Sequence, residues 1–122
     1  MAIVSSHTLN SVDGTHAAGI AVTLTRVASD GTRKLLFETA TDDGGRLMQE
    51  IDPGEILPGV TYELVLRTAP YFAALGLPRP GMQIIQDAVV RFEMPDPAAR
   101  YHMPFMLAPN SYSVWASSGP NG

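Results

Sequence analysis

The chain has 122 residues, of which 45% are hydrophobic and 16% are charged, and this composition suits one globular domain with a single buried core. Eight basic and twelve acidic residues give a net charge of -4, and the basic residues are scattered, so no cationic stripe suits a nucleic acid. Cysteine is absent, which excludes a disulfide scaffold, a thiolate nucleophile and zinc sites with sulfur ligands.

The beginning of the chain carries no basic segment followed by a long apolar run. No stretch of the sequence approaches the roughly 20 apolar residues that a membrane-spanning helix needs. We therefore expect a cytoplasmic protein without a membrane partner or a nucleic-acid partner.

Short apolar runs separated by turn residues indicate a mainly β chain. The 11 glycines and 10 prolines are spread along the sequence, and each run between them is too short for a typical helix. Within residues 20–24, 62–66 and 88–94, large apolar side chains alternate with smaller or polar ones, as in half-buried antiparallel strands. Strands are predicted near residues 3–9, 19–27, 32–40, 46–50, 60–67, 84–94, 102–107 and 111–116.

One segment departs from the β pattern and predicts a short helix. In Ala69 to Gly76, Pro70 suits a first helical turn and Gly76 supplies a stop. The regular spacing of the turns elsewhere predicts an all-β antiparallel sandwich of about eight strands with this one helix. We expect one domain over residues 1–118 and a short, mobile C-terminal tail over residues 119–122.

Three residues in or beside predicted strands are candidates for chemistry. His7 lies in the first strand, Arg46 follows a glycine turn, and His102 has apolar neighbours that would keep its imidazole neutral. Taken singly, each has a more common structural interpretation as a hydrogen-bonded histidine or a solvated arginine. His16, beside a turn, is interpreted as a solvated loop residue without a role.

Other familiar catalytic patterns are missing from the sequence. The acidic pairs Asp42–Asp43 and Glu50–Asp52 flank glycine or proline, where acidic residues are ordinary turn formers, so a glycosidase is rejected. No phosphate-binding glycine loop, Gly-x-Ser-x-Gly elbow or His-Glu-x-x-His pair occurs.

Four segments together resemble the 5-hydroxyisourate hydrolases, the enzyme branch of the transthyretin-related family. Residues 6–10 are similar to the family's Thr-His-Val-Leu-Asp, and residues 41–46 are similar to its Thr-x-x-x-Gly-Arg. Residues 71–74 look like the start of the family's helix. Residues 96–109 are similar to Asp-Pro-x-x-His-Tyr-His-Val-Pro-Leu-Leu-Leu-Ser-Pro.

The resemblance implies a transthyretin-like sandwich that opens the ring amide of 5-hydroxyisourate without a metal or cofactor. It places His7, Arg46 and His102 on catalytic positions: the histidines activate and position water, and Arg46 binds the carbonyl and its developing charge. Which histidine is the base stays open. The resemblance also implies a homotetramer, a dimer of dimers, with active sites at the interface, and gives Ser118 a secondary hydrogen bond to the substrate.

The sequence departs from the family pattern at two places, and the second of them puts the choice of substrate in doubt. Arg100 stands where the family has its first histidine, and the terminal Tyr-Ser-Thr-Tyr-Arg-Gly-Ser has become residues 112–118, with Ala116 in place of arginine. Trp115 and Ala116, interpreted as substrate-binding, would make the wall of the site more apolar. An N-methylated 5-hydroxyisourate is therefore an alternative substrate, and a non-catalytic small-molecule binding protein is the other alternative.

Overall fold

A computed structural model of the protein describes residues 1–76, 78 and 81–120. Over these residues the chain forms ten strands, a short 3₁₀ helix (Pro53–Glu55) and one α-helix, α1 (Thr68–Leu75). The strands are β1 (Ala2–Asn10), β2 (Ala21–Val27), β3 (Arg33–Ala40), β4 (Arg46–Ile51), β5 (Thr61–Leu66), β6 (Ala88–Phe92), β7 (Ala99–His102), β8 (Phe105–Ala108), β9 (Ser111–Val114) and β10 (Ser117–Pro120).

The strands form two sheets that pack face to face. The first sheet has six strands in the order β10-β7-β1-β8-β9, with β4 paired to the other edge of β1, and the second has the order β3-β2-β5-β6. The core between them is built from alternate residues of both sheets, such as Val4, Val22, Leu24, Leu64, Leu66, Phe105 and Leu107, all fully buried. The predicted all-β sandwich is confirmed.

Strand β1 organises the first sheet because it pairs with three other strands, with β4 along one edge over residues 2–7 and with β7 and then β8 along the other edge. Its first half runs parallel to β7, with Ser5 opposite His102, and its second half runs parallel to β8, with Thr8 opposite Phe105. The register along β1 is the same in both ladders, so β7 and β8 are two parts of one extended segment, which is interrupted at Met103 and Pro104. Proline has no N–H to donate, which breaks the regular strand there.

The next segment of the sheet, formed by β9 and β10, is interrupted at the same level. Strand β9 pairs with β8 and strand β10 pairs with β7, and residues 115–116 lie opposite residues 103–104 in the gap. The strands predicted over residues 102–107 and 111–116 were therefore wrong in their bounds, since each segment spans a break. The strand predicted over residues 84–94 is shorter than expected, because only Ala88–Phe92 pairs with β5.

The chain beyond the predicted domain boundary continues into a strand. Gly119 pairs with Arg100 and Pro120 pairs with Ala99, so both residues belong to β10. Residues 121 and 122 of the predicted tail lie outside the described residues. The boundary after residue 118 stays a prediction.

The helix predicted over residues 69–76 is confirmed within one residue at its start. Gly76 ends it with a φ of 65°, a conformation that glycine adopts without strain, and its N–H bonds to the carbonyl of Ala73. Phe72 anchors the helix in the core. Within the described residues, neither helix is long and apolar enough to cross a membrane.

Candidate active site

The candidate residues lie on the outer face of the first sheet. Along β1, Val4, Ser6 and Thr8 point into the sandwich and are buried, so Ser5 and His7 point to the opposite face. Residues that pair across neighbouring strands share a face. Ser5 is in line with His102 and Ser117, and His7 pairs with Arg46.

Two adjoining cavities open on this face, with volumes of about 290 and 340 Å³. Both are lined by Arg46, Arg100 and His102, which makes these three side chains the centre of the site. The smaller cavity is completed by Ser5, Ser6, Asp42, Leu47 and Met48, and the larger by Ser117, Ser118 and Gly119.

His102 is held in the cavity by one hydrogen bond. Its Nδ1 lies 2.8 Å from Oγ of Ser5, and the same Oγ accepts a longer bond of 3.4 Å from Nε of Arg100. Partial burial lowers the pKa of His102, and the charges of Arg100 and Arg46 and then of His7 lower it further. The imidazole is therefore neutral at neutral pH, and its Nε2 has no protein partner among the described residues.

His7 sits at the rim of the cavity rather than in its lining. Its Nε2 lies 2.9 Å from Nδ1 of His16, and the two rings stack with centroids 5.1 Å apart. Burial, then the charges of Arg46 and His16, lower the pKa of His7, while a hydrogen bond to the Gly44 backbone and the charge of Asp42 oppose this shift. His7 is thus also neutral, but its ring is engaged on both sides.

The turn before β4 fixes the position of Arg46. The carboxylate of Asp42 accepts the backbone N–H groups of Gly44 and Arg46, each at 2.9 Å, which is the turn-forming role predicted for this residue. Gly45 has a φ of 72°, and a Cβ there would lie 2.4 Å from the carbonyl oxygen of Thr8. This close approach docks the turn against β1 and sets Arg46 beside His7.

Two arginines in the site are free of carboxylate partners. Within the described residues, neither Arg46 nor Arg100 takes part in an ion pair. The ion pairs of this part of the chain use other cations, namely Arg26, Arg33, Lys34, Arg67 and Arg91. The lining also contains the carboxylate of Asp42, so two guanidinium groups and one carboxylate leave the site with a net positive charge in a protein whose net charge is -4. A net positive charge favours an anion.

Of the three residues predicted to bind substrate, only Ser118 lines one of the two cavities. Ser118 lines the larger cavity, whereas the exposed Trp115 and Ala116 lie in the gap between β9 and β10 and line neither cavity. A binding role for all three stays a prediction. Sequence reasoning gave no role to Ser5, His16 or Arg100; the one available signal was the alternation that puts Arg100 and His102 on one face of β7.

Sequence comparison places the chain in a known family. Residues 4–116 match the HIUase/Transthyretin family, and the chain belongs to it. It is 33% identical over 119 residues to the 5-hydroxyisourate hydrolase of Pseudomonas aeruginosa, covering 97% of this chain and 93% of that one. It is 30% identical over 115 residues to the 5-hydroxyisourate hydrolase of Halalkalibacterium halodurans, covering 94% and 97%.

Solved structures agree with this assignment. The 5-hydroxyisourate hydrolase of Klebsiella pneumoniae superposes with a TM-score of 0.74 at 26% identity, covering 96% of this chain and 99% of that one. An (S)-allantoin synthase gives 0.80 at 25% identity, and this chain spans 95% of its own length but 43% of the synthase. Transthyretin from Sparus aurata, at 0.79 and 22% identity over 95% of this chain and 97% of its own, confirms the transthyretin-like fold.

Proposed function

We propose that this protein hydrolyses 5-hydroxyisourate, opening its ring amide, in the catabolism of urate. The observation that carries the proposal is that His102, whose pKa is lowered, lines the same cavity as Arg46. Within the part of the chain that the structure describes, Nε2 of His102 has no protein partner and Arg46 forms no ion pair. Relatives of about this length that are named 5-hydroxyisourate hydrolases support the assignment. A base and a cation side by side suit the addition of water to a carbonyl.

In the proposed reaction His102 is the general base. Nδ1 of His102 carries the proton and donates it to Oγ of Ser5, which leaves Nε2 as a lone-pair acceptor facing the cavity. Nε2 takes a proton from water while the water oxygen bonds to the ring carbonyl carbon. Since the ring of His7 is engaged by His16 and the Gly44 backbone, His7 is proposed to position the water and substrate rather than to be the base.

Arg46 is proposed to stabilise the charge that forms on the carbonyl oxygen when water adds. Collapse of this tetrahedral intermediate breaks the ring C–N bond, and the departing nitrogen receives the proton from His102. The product carries a new carboxylate, which suits the cationic site. Ser118, on the opposite side of the larger cavity, is proposed to add a hydrogen bond to the substrate.

The test is the ultraviolet-monitored decay of freshly generated 5-hydroxyisourate with and without the protein. General-base assistance is worth about 10² to 10⁴ in rate, so His102→Ala should lower kcat by that factor. Glu38→Ala, an exposed site on the second sheet, is the control and should keep the wild-type rate. A wild-type rate equal to spontaneous decay would leave the non-catalytic binding protein as the better interpretation.

The described cavity favours the unmethylated substrate. The argument for an N-methylated ring rested on an apolar wall formed by Trp115 and Ala116, yet the described lining centres on two arginines and a histidine. The trimethyl analogue of 5-hydroxyisourate, assayed in parallel, should therefore be the poorer substrate.

A reaction without a metal stays a prediction, and dialysis against a chelator should leave the rate unchanged. Among the described residues there is no group of three or more His, Cys, Asp or Glu side chains placed to hold a metal ion.

We also propose that the protein assembles as a homotetramer through this face. The exposed apolar side chains Met48, Met106 and Trp115 belong to β4, to β8 and to the gap before β10, around the site. Exposed apolar area of this kind is typical of surfaces that bind another protein chain. Light scattering of the purified protein measures the assembly directly. A cytoplasmic location stays a prediction.

A further inference from the structure

Arg100 is the feature of the site that the proposed mechanism leaves without a role. Its guanidinium lines both cavities together with Arg46 and His102 and has no carboxylate partner among the described residues. Among the described residues, the guanidinium makes one hydrogen bond, from Nε to Oγ of Ser5, which is long at 3.4 Å, and its terminal nitrogens have no partner there. Five N–H donors in a planar fork match an oxygen-bearing anion better than they match water.

We propose that Arg100 is a substrate-binding residue that holds the anionic edge of a urate-like ring, so that the site selects anionic heterocycles over fully N-methylated, neutral ones. The inference rests on the proposed hydrolase function and deepens it. Arg46 stabilises the carbonyl to which water adds, and Arg100 donates hydrogen bonds to other oxygen and nitrogen acceptors on the same ring.

The strand pairing explains how Arg100 reaches the ligand. Arg100 lies opposite Gly119 of β10, and a Cβ built on Gly119 would meet no atom within 4 Å. The absence of a side chain at this position keeps the larger cavity open above β7.

Arg100 also accounts for a missing charge. The 5-hydroxyisourate hydrolases that this chain resembles have an arginine near the C-terminus, where this chain has Ala116. They have a histidine where this chain has Arg100. Ala116 lines neither cavity, whereas Arg100 lines both. Arg100, two residues before His102, therefore supplies a second guanidinium to these cavities beside that of Arg46.

Arg100→Met removes the charge and keeps the length of the side chain, and Arg100→Lys keeps the charge but not the planar fork. Arg67→Met is the control. Arg67 is an exposed arginine that follows β5 in the second sheet, forms an ion pair with Asp87 and lines neither cavity of the site. Kinetics are measured at pH 8, where His102 is neutral in every variant, so that a change in its pKa does not enter the comparison. Circular dichroism verifies that each variant is folded.

Two readouts are compared. For 5-hydroxyisourate hydrolysis, Arg100→Met should raise KM at least tenfold with kcat within threefold of wild type, and Arg100→Lys should recover part of the loss. Calorimetric titration with urate, an anion at neutral pH, should show a Kd weakened by the same factor. Tetramethylurate, which has no acidic N–H and stays neutral, should bind weakly and equally to wild type and Arg100→Met.

The proposal is overturned if Arg100→Met and Arg67→Met both keep KM and the urate Kd within twofold of wild type. It is also overturned if tetramethylurate binds as tightly as urate. If the wild-type protein does not accelerate hydrolysis, the proposed function fails, and the urate titration alone decides the role of Arg100. Loss of urate binding in Arg100→Met then still supports an anion site.

Discussion

At the scale of single residues, the site depends on keeping His102 neutral. A histidine that faces two guanidinium groups cannot gain a proton without repulsion, and its partial burial removes water that would stabilise the imidazolium. In the proposed mechanism, the charges that bind an anionic substrate therefore also keep His102 unprotonated, as a general base requires. Loss of one arginine should affect both properties.

The pKa of His102 gives the direction of a pH profile. Because burial and the neighbouring cations lower it below its ordinary value of 6.5, the base stays unprotonated to lower pH than a free histidine. We expect kcat/KM to hold from pH 8 down past 6.5 and to fall only below that value. A plot of log kcat/KM against pH checks this.

The pH profile of Arg100→Met, compared with that of wild type, tests whether the charge of Arg100 lowers the pKa of His102. Next to burial, the charge of Arg100 contributes most to the lowered pKa of His102. Removing this charge should raise that pKa and move the acid limb of the profile to higher pH. Arg67→Met should leave the limb where it is. A wild-type limb above 6.5 would contradict the assignment of His102 as the base.

The residues of the site differ in how far they could be predicted. His7, Arg46 and His102 could be selected because they sit in short local patterns. Ser5 could not be linked to His102, nor His16 to His7, because those contacts depend on which strands pair and on how a turn folds back. No local pattern in the chain records a hydrogen bond between residues 5 and 102.

At the scale of elements, the turn between β3 and β4 is the part that places a functional side chain. Asp42 closes the turn, Gly45 lets it touch β1, and Arg46 begins β4 directly afterwards. Thr8 completes the contact, since its backbone N–H donates to the carbonyl of Gly45 at 2.7 Å. The turn is thus held to the central strand of the site.

Gly45→Ala should therefore lower both stability and activity. A side chain at positive φ costs about 1–2 kcal/mol, and the added Cβ would meet the Thr8 carbonyl oxygen at 2.4 Å, so the turn must shift. We expect a loss of at least about 2 kcal/mol in the free energy of unfolding, measured in urea, and a lower kcat/KM because Arg46 moves.

Gly44→Ala is the matched control for this turn. A Cβ at Gly44 would lie 3.5 Å from the carboxylate of Asp42, an ordinary contact, and Gly44 does not have a positive φ. Its stability should stay within about 0.5 kcal/mol of wild type. Equal losses in the two variants would show that the close approach to Thr8 does not matter.

At the scale of the whole molecule, acid stability should depend on a buried carboxylate in the second sheet. The carboxylate of Glu63 on β5 accepts hydrogen bonds from Arg33 on β3 and Arg91 on β6. These hydrogen bonds lower the pKa of Glu63, and the bond from Arg33 has the largest effect. Since the folded pKa is below the unfolded one, this contribution is present above the unfolded pKa of about 4.3 and is lost as pH falls through the folded value.

Glu63→Gln tests this link between three strands. We expect the variant to be less stable near pH 7 by on the order of 1 kcal/mol, because both arginines are largely exposed, and to lose less stability than wild type below pH 4. Urea unfolding at several pH values measures the difference. Glu38→Gln, at an exposed site, should follow the wild-type curve, and parallel curves for Glu63→Gln and wild type would refute the role of the carboxylate.

The alternation of apolar residues, the turn residues and the short motifs were enough to predict an all-β sandwich and one helix, and to select His7, Arg46 and His102 as candidate site residues. They were enough because strands, turns and helix ends depend on local backbone preferences. The break at Pro104, the continuation into β10 and the meeting of Arg46, Arg100 and His102 needed the folded chain. Those features depend on strand register and on distances between residues far apart in sequence, and short-range preferences carry no information about either.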